Sequence, residues 1–466
     1  MVGRQPDGWR LKFHLMPPEG WLNDPNGLCQ FRGQYHIFFQ YQPEDPRGTG
    51  KTPRLWGHYA GPGLTKLRFE GIPFEQNELD RNGSYSGSAL VEDGKLQLFY
   101  TGNIRLPGEY DYIHDGRESN TIRIVSNDGL HFGTKELLLR TADYPSDCTR
   151  HVRDPKVWKE NGNYYMVLGA RLKEEKGAVL LYRSSDLKRW EFLKCITTGE
   201  AFGYMWECPD YFRVGKYSLL SVCPQGLGPE EYRYQNVYQS GYFTVTGILE
   251  DAPQLGEFRE WDYGFDFYAP QTFADDRGRR LLIGWAGMPD TPYENPTAER
   301  GWQHALTIPR EIVEENGKVL QKPVRELEDL RYGATALTGE NSFVLEDGSG
   351  EVMLRKSGED EYPWQIMIGE GLRISGGDGT VCLELSEQWG RGRRVRRARV
   401  GKCRKIRLLI DTSMAELYLN GGETVFTARF YPDYSENRQL EVKLRCPGME
   451  GFGWQLKNMD TGMKTR

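Results

Sequence analysis

A glycine followed at once by a short aromatic or aliphatic run returns five times along this chain, and that recurrence limits the possible folds. It occurs as Gly33-Gln34-Tyr35-His36-Ile37-Phe38-Phe39, Gly94-Lys95-Leu96-Gln97-Leu98-Phe99-Tyr100 and Gly162-Asn163-Tyr164-Tyr165-Met166-Val167-Leu168. It returns as Gly215-Lys216-Tyr217-Ser218-Leu219-Leu220 and Gly278-Arg279-Arg280-Leu281-Leu282-Ile283. The marker glycines lie 61, 68, 53 and 63 residues apart. Each interval holds four strands with their turns, the content of a propeller blade. A weaker echo, Ser126-Asn127-Asp128-Gly129 and Ser185-Asp186-Leu187, falls between them, and no long helical periodicity interrupts. The repeat therefore predicts an all-β, five-bladed β-propeller.

After Pro323 the pattern changes. Glu326-Leu327-Glu328-Asp329-Leu330 reads as part of a short connector near 323–332. Alternating strands follow, such as Ile406-Arg407-Leu408-Leu409-Ile410, and Ala415-Glu416-Leu417-Tyr418-Leu419 is closed by the hairpin signal Asn420-Gly421. The expected division is a propeller over 1–322 and a C-terminal β-sandwich over 323–466. Composition agrees: 55 Gly with 12 Trp, 26 Tyr and 20 Phe suit short strands, tight turns and faces on which flat polar ligands stack.

Charge and missing motifs exclude other classes. With 60 Lys+Arg against 66 Asp+Glu the net charge is −6, which offers nucleic acid no electrostatic footprint. No apolar run approaches the length of a transmembrane helix, and Met1–Asp7 has no apolar leader segment. The eight Cys are scattered without a C-x-x-C pair and read as reduced thiols of a cytoplasmic protein. H-E-x-x-H, the P-loop and G-x-G-x-x-G are all missing, so zinc protease, nucleotidase and dehydrogenase readings lose their support. The oligomeric state is left open.

Three repeats carry an acidic residue eight or nine positions before the marker glycine: Asp24, Asp154 and Glu207. Their contexts are alike: Asn23-Asp24-Pro25, Arg153-Asp154-Pro155 and Glu207-Cys208-Pro209. A radially repeated fold brings equivalent positions towards one axis, so three distant carboxylates should converge. Converging negative charges repel, and such a cluster normally exists because function needs it. Two carboxylates about 5–5.5 Å apart can cleave a glycoside with retention, one as nucleophile and one as acid/base. The acid must stay protonated near neutrality, which burial or a neighbouring negative charge favours.

The residues also show a resemblance. Trp21-Leu22-Asn23-Asp24-Pro25-Asn26-Gly27 resembles the W-M-N-D-P-N-G signature of glycoside hydrolase family 32, the β-fructofuranosidases. Arg153-Asp154-Pro155 resembles its R-D-P, and Glu207-Cys208 its E-C. The segments Phe265-Asp266-Phe267-Tyr268-Ala269-Pro270-Gln271 and Gly301-Trp302-Gln303-His304 look closest to its bacterial sucrose-6-phosphate hydrolases and cytoplasmic sucrases. The resemblance implies a propeller joined to a sandwich, with Asp24 as nucleophile, Glu207 as acid/base and Asp154 as stabiliser of the transition state. It places Trp21, Asn23, Gln40, Trp56, Tyr85, Ser86, Arg153, Tyr268 and Trp285 around the fructose. It implies release of fructose from sucrose or sucrose 6-phosphate, with no metal and no cofactor. Hydrolysis of short fructans, fructosyl transfer and non-catalytic sugar binding are the alternatives.

Two departures concern the far side of the fructose. The loop after Trp56-Gly57-His58 is altered and longer, and Tyr85 stands where many members have Phe. Arg54, Lys66, Arg81 and Arg105 are the basic loop residues available to a phosphate. Strand alternation predicts that Cys208 points away from Glu207 into the core. The run Arg391-Gly392-Arg393-Arg394-Val395-Arg396-Arg397-Ala398-Arg399 is expected to form a solvated hairpin of the sandwich.

Overall fold

The computed structural model describes residues 7–358, 360 and 362–462; Met1–Pro6, part of the segment tested for a leader, lie outside them. The protein is nearly all-β, as a β-propeller joined to a β-sandwich would be. Five sheets come first, antiparallel but for the short strand Trp302–Gln303 that pairs in parallel with the first strand, and each opens with a strand that carries candidate site residues: Gly20–Phe31, Ser84–Glu92, Cys148–Glu160, Met205–Val214 and Tyr268–Ala274. These inner strands touch one another in sequence, and the fifth touches the first, so they close a ring. The marker glycines fill the turns between first and second strands. Gly33, Gly94 and Gly162 have φ of +74°, +70° and +80°, and the residues before them are also left-handed. This is the twist that a tight hairpin demands and that glycine supplies without strain.

Every inner strand is irregular at the same place. Pairing with the second strand slips at Leu22/Pro25, Ser84/Gly87, Arg153/Lys156, Glu207/Asp210 and Tyr268/Gln271. Four of the slips contain a proline, Pro25, Pro155, Pro209 or Pro270, which has no N–H to give to a ladder and is tolerated at a bulge. The remaining one has Gly87, where a Cβ would come within 1.9 Å of the Phe99 carbonyl. Asp154, Cys208 and Ala269 adopt φ of +64°, +46° and +48°. A bulge breaks strict alternation, so two consecutive side chains can face the same way. Polar ties join neighbouring inner strands: Gly87 N–H donates to Asn26, Val157 N–H to Ser88, and Asp210 binds both Lys156 and Thr272.

The fifth sheet ends at Lys318–Pro323, a 3-10 turn covers Arg325–Leu330, and two six-stranded sheets follow. Their shared core includes Ile366, Ile374, Leu408, Leu417 and Val442. The other face of strands Lys405–Asp411, Met414–Leu419 and Thr424–Arg429 presents Leu409, Tyr418 and Val425 to Phe273, Leu281 and Ile283 of the fifth sheet. Each large apolar side chain buried there contributes about 1.5–3 kcal/mol.

The basic run is solvated only in part. Arg393 is fully buried, donating to both oxygens of Asp266 at 2.7 and 2.9 Å and to Asn295. Arg396 lies 4.1 Å over the Phe265 ring and holds Asn236. Two of its six arginines clasp the sandwich to the segment that leads into the fifth sheet, because a guanidinium can satisfy a buried carboxylate bidentately; Arg391, Arg394, Arg397 and Arg399 face solvent. Among the described residues no helix is long and apolar enough to cross a membrane.

Candidate active site

The bulges deliver Asp24, Asp154 and Glu207 to one place. Asp24 is held by neutral donors, with Oδ1 accepting from Asn23 at 3.0 Å and Oδ2 from Ser86 at 2.5 Å. Gln40 donates to Ser86 at 3.0 Å and accepts from Asn23, and Trp21 Nε1 donates to Asn23, so the five side chains lock one another. Burial pushes the Asp24 carboxyl up against those two hydrogen bonds, and the charge of Glu207 pushes the same way.

Asp154 is 3% exposed. Burial raises its carboxyl to about 7, with Glu207 and Asp24 adding to the rise and Arg153 opposing it. Its Oδ2 accepts the Cys208 N–H at 2.9 Å, while its own N–H donates to Thr101. Glu207 has both oxygens occupied. Oε1 takes Arg153 Nη2 at 2.6 Å and Nε at 3.0 Å; Oε2 takes the Tyr268 hydroxyl at 2.6 Å and the Gln225 amide at 2.7 Å.

Cys208 bears out the alternation argument only in part. Its sulfur does not turn away from the site: it lies 3.9 Å from Asp24 Oδ2 and 3.7 Å from Asp154 Oδ2. Cys208 is nevertheless buried and packs with Cys223 and Ala269, so the expected core packing holds while the sulfur also reaches the two aspartates. Trp56 is fully buried among Phe38, Phe74 and Tyr100, and its indole N–H supports the Tyr85 carbonyl. It backs the site rather than facing it. Trp285 is 2% exposed and edge-on to His304, near Tyr268. Tyr85 is half-buried, with the Arg54 guanidinium 5.9 Å above its ring.

Of the four basic candidates, Arg54 and Arg105 lie beside this cluster. Arg81 pairs with Glu78, and Lys66 sits exposed on a strand bridged to Asp460. Sequence reasoning missed Gln225, His151 and Arg117. No local pattern marks them, although His151 stands two residues before Arg153. Its Nε2 donates to the Tyr112 carbonyl at 3.1 Å, leaving Nδ1 to accept from Arg153 at 2.8 Å. Among the described residues, no group of His, Cys, Asp and Glu is placed to hold a metal ion.

Three acidic groups in one bulged ring can do nucleophilic and acid/base work, and comparison with known proteins gives the family. Residues 14–323 match the family model described as glycosyl hydrolases family 32 N-terminal domain, and 387–447 match glycosyl hydrolases family 32 C terminal. The sequence is 39% identical over 447 residues to a sucrose-6-phosphate hydrolase of Bacillus subtilis, covering 91% of this chain and 90% of that one. The fold is similar to a sucrose-6-phosphate hydrolase from Lactobacillus gasseri, with a TM-score of 0.87 at 27% identity over 97% and 94% of the two chains. It is also similar to a Bombyx mori β-fructofuranosidase mutant in complex with sucrose, with a TM-score of 0.83 at 31% identity over 97% and 95%.

Proposed function

This chain belongs to glycosyl hydrolase family 32, and on that premise we propose how its residues carry out the reaction. It is a β-fructofuranosidase, a retaining glycosidase that releases fructose from sucrose or sucrose 6-phosphate. We read the five sheets as the blades of a five-bladed propeller over 1–322, followed by a sandwich over 323–466; the closed ring of inner strands supports the count. The scatter of the eight cysteines, with no C-x-x-C pair, supports a cytoplasmic location.

The observation that carries the catalytic reading is the contrast between Asp24 and Glu207. Asp24 has neutral donors on both oxygens and, among the described residues, no cation within hydrogen-bond reach, which leaves its electron pairs reactive. It attacks the fructosyl anomeric carbon while Glu207 gives its proton to the glycosidic oxygen, and the leaving sugar departs with that proton. A fructosyl ester on Asp24 remains. Glu207 then takes a proton from water, whose oxygen opens the ester and regenerates Asp24. Arg153, Tyr268 and Gln225 fix the Glu207 carboxylate in one orientation for both steps. Asp154 holds sugar hydroxyls and stabilises positive charge developing at the ring. Because burial raises the Asp24 carboxyl, and it must be ionised to attack, kcat/KM should fall at a higher pH on the acid side than an ordinary carboxylate would give.

The test is fructose release by the purified protein, with sucrose and sucrose 6-phosphate assayed in parallel and Asp24→Asn as control. Turnover of either substrate, lost in the variant, is expected. A folded Asp24→Asn protein with wild-type turnover overturns the assignment of roles.

A further inference from the structure

Positive charge is left over beside the active site. Arg105 and Arg117 stand directly opposite each other on the paired strands Lys95–Arg105 and Arg117–Ser126. Like charges facing across antiparallel strands destabilise the pair. Arg117 is 9% exposed, its buried Nε has no hydrogen-bond partner, and its Nη1 reaches His151 Nδ1 at 3.3 Å. That nitrogen already accepts from Arg153, so one lone pair faces two guanidinium groups. Burial and the nearby Arg153 charge hold the imidazole down to about 2, so it brings no charge of its own. Among the described residues neither Arg117 nor Arg105 has a carboxylate partner. Arg153 is committed to Glu207, and Arg54 lies over Tyr85. Burial, with Arg153 and Arg105 close by, lowers the Arg117 guanidinium to about 10.

A buried cation without a counter-ion is costly and is normally kept for a ligand. Arg117 connects through His151 and Arg153 to Glu207, the group that protonates the leaving oxygen. The surplus charge therefore lies on the side of the leaving sugar, with the half-buried Tyr85 ring as a face against which that sugar can pack. Resting on the glycosidase reading above, we propose that Arg117 and Arg105, with Arg54 across Tyr85, form a subsite for the phosphate of a phosphorylated leaving sugar. A phosphate monoester carries about −1.5 to −2 charges, and guanidinium forks bind its oxygens bidentately.

The experiment is calorimetric titration of the full-length protein with glucose 6-phosphate, glucose and inorganic phosphate, beside the kcat/KM for sucrose 6-phosphate and sucrose. Glucose 6-phosphate should bind the wild type at least about 10-fold more tightly than glucose. Arg117→Gln and Arg105→Gln should each cut that margin by about 10-fold or more, the range for a hydrogen bond to a charged group. The ratio of the two kcat/KM values should fall in parallel, with Arg117→Lys recovering part of it. Arg105 is exposed, so its variant answers the question even if Arg117→Gln fails to fold. Equal binding of glucose 6-phosphate and glucose to the wild type overturns the proposal. So does a margin that survives both Gln variants, or inorganic phosphate binding more tightly than the sugar phosphate. A loss that is equal for the two substrates means that the arginines only offset the carboxylates, and it also overturns the subsite. A wild type that keeps the binding margin yet releases no fructose refutes the glycosidase reading and leaves the subsite standing.

Discussion

Glu416, in the seam between propeller and sandwich, and Asp24, at the inner strands, are both carboxylates in protein surroundings, yet their partners differ at every oxygen. Glu416 Oε1 accepts from His14 and from the Ile308 N–H, and Oε2 from Arg310 at 2.7 and 3.1 Å and from the Tyr418 hydroxyl. Burial alone would raise its carboxyl; Arg310 and His14 bring it down to about 2. His14 binds Asp411 as well, and Arg310 also reaches Asp262. The seam thus matches three fully buried carboxylates with two cations and a full set of donors. Asp24 meets neutral donors only, and Asp154 has its one cation 4.0 Å away. Where buried charge is matched the molecule gains a fixed interface, and where it is left unmatched the group is available for chemistry.

The largest test of that contrast is exchange of charge for amide at each place. Asp24→Asn and Glu207→Gln should each lower kcat by about 10⁴-fold or more, and in Asp24→Asn the melting temperature should hold or rise, since repulsion is relieved and no ion pair is broken. Steady-state kinetics beside calorimetry checks both halves, and a large loss of stability in Asp24→Asn would break the contrast. Next in size, Glu416→Ala strands His14 and Arg310 and should cost about 3–5 kcal/mol in denaturant unfolding. Little loss there would mean that the seam charges are dispensable.

A pH series on Asp154→Asn sharpens the comparison further. The folded carboxyl titrates near 7, above its ordinary range. A raised carboxyl favours the protonated fold, so its contribution to stability is present at acid pH and is lost as pH climbs from about 4 to about 7. The Asn variant escapes that loss. Its melting temperature minus the wild type's should therefore grow across this window and level off above it; a flat difference would sink the claim. The smallest effect separates two neighbours in the basic run. Exposed Arg394→Ala should change stability by less than about 0.5 kcal/mol, whereas Arg393→Ala, which abandons buried Asp266, should cost several times more.

Much was legible locally. The marker glycines announced the turns because a left-handed hairpin position selects glycine whatever surrounds it. The acidic residues a fixed step before them announced convergence because a repeated unit places equivalent residues equivalently. Strand alternation told only half of Cys208, which is buried in the core yet reaches Asp24 and Asp154, because the register slip between Glu207 and Asp210 and the convergence of the inner strands bring those carboxylates to it. The basic run misled for a different reason. Charge density along a sequence describes a solvated segment only if no buried carboxylate waits opposite, and Asp266 lies 127 residues away from Arg393.

By itself, then, the amino-acid sequence determined the strand-and-turn grammar, the family and the identity of the three carboxylates, all of which depend on residues within a few positions of one another. Only the tertiary structure decided which charges are matched: His14 and Arg310 around Glu416, Arg153 on Glu207, and Arg117 left, among the described residues, without a counter-ion. The reason is that electrostatic energy depends on distance and burial, and neither is a property of spacing along the chain.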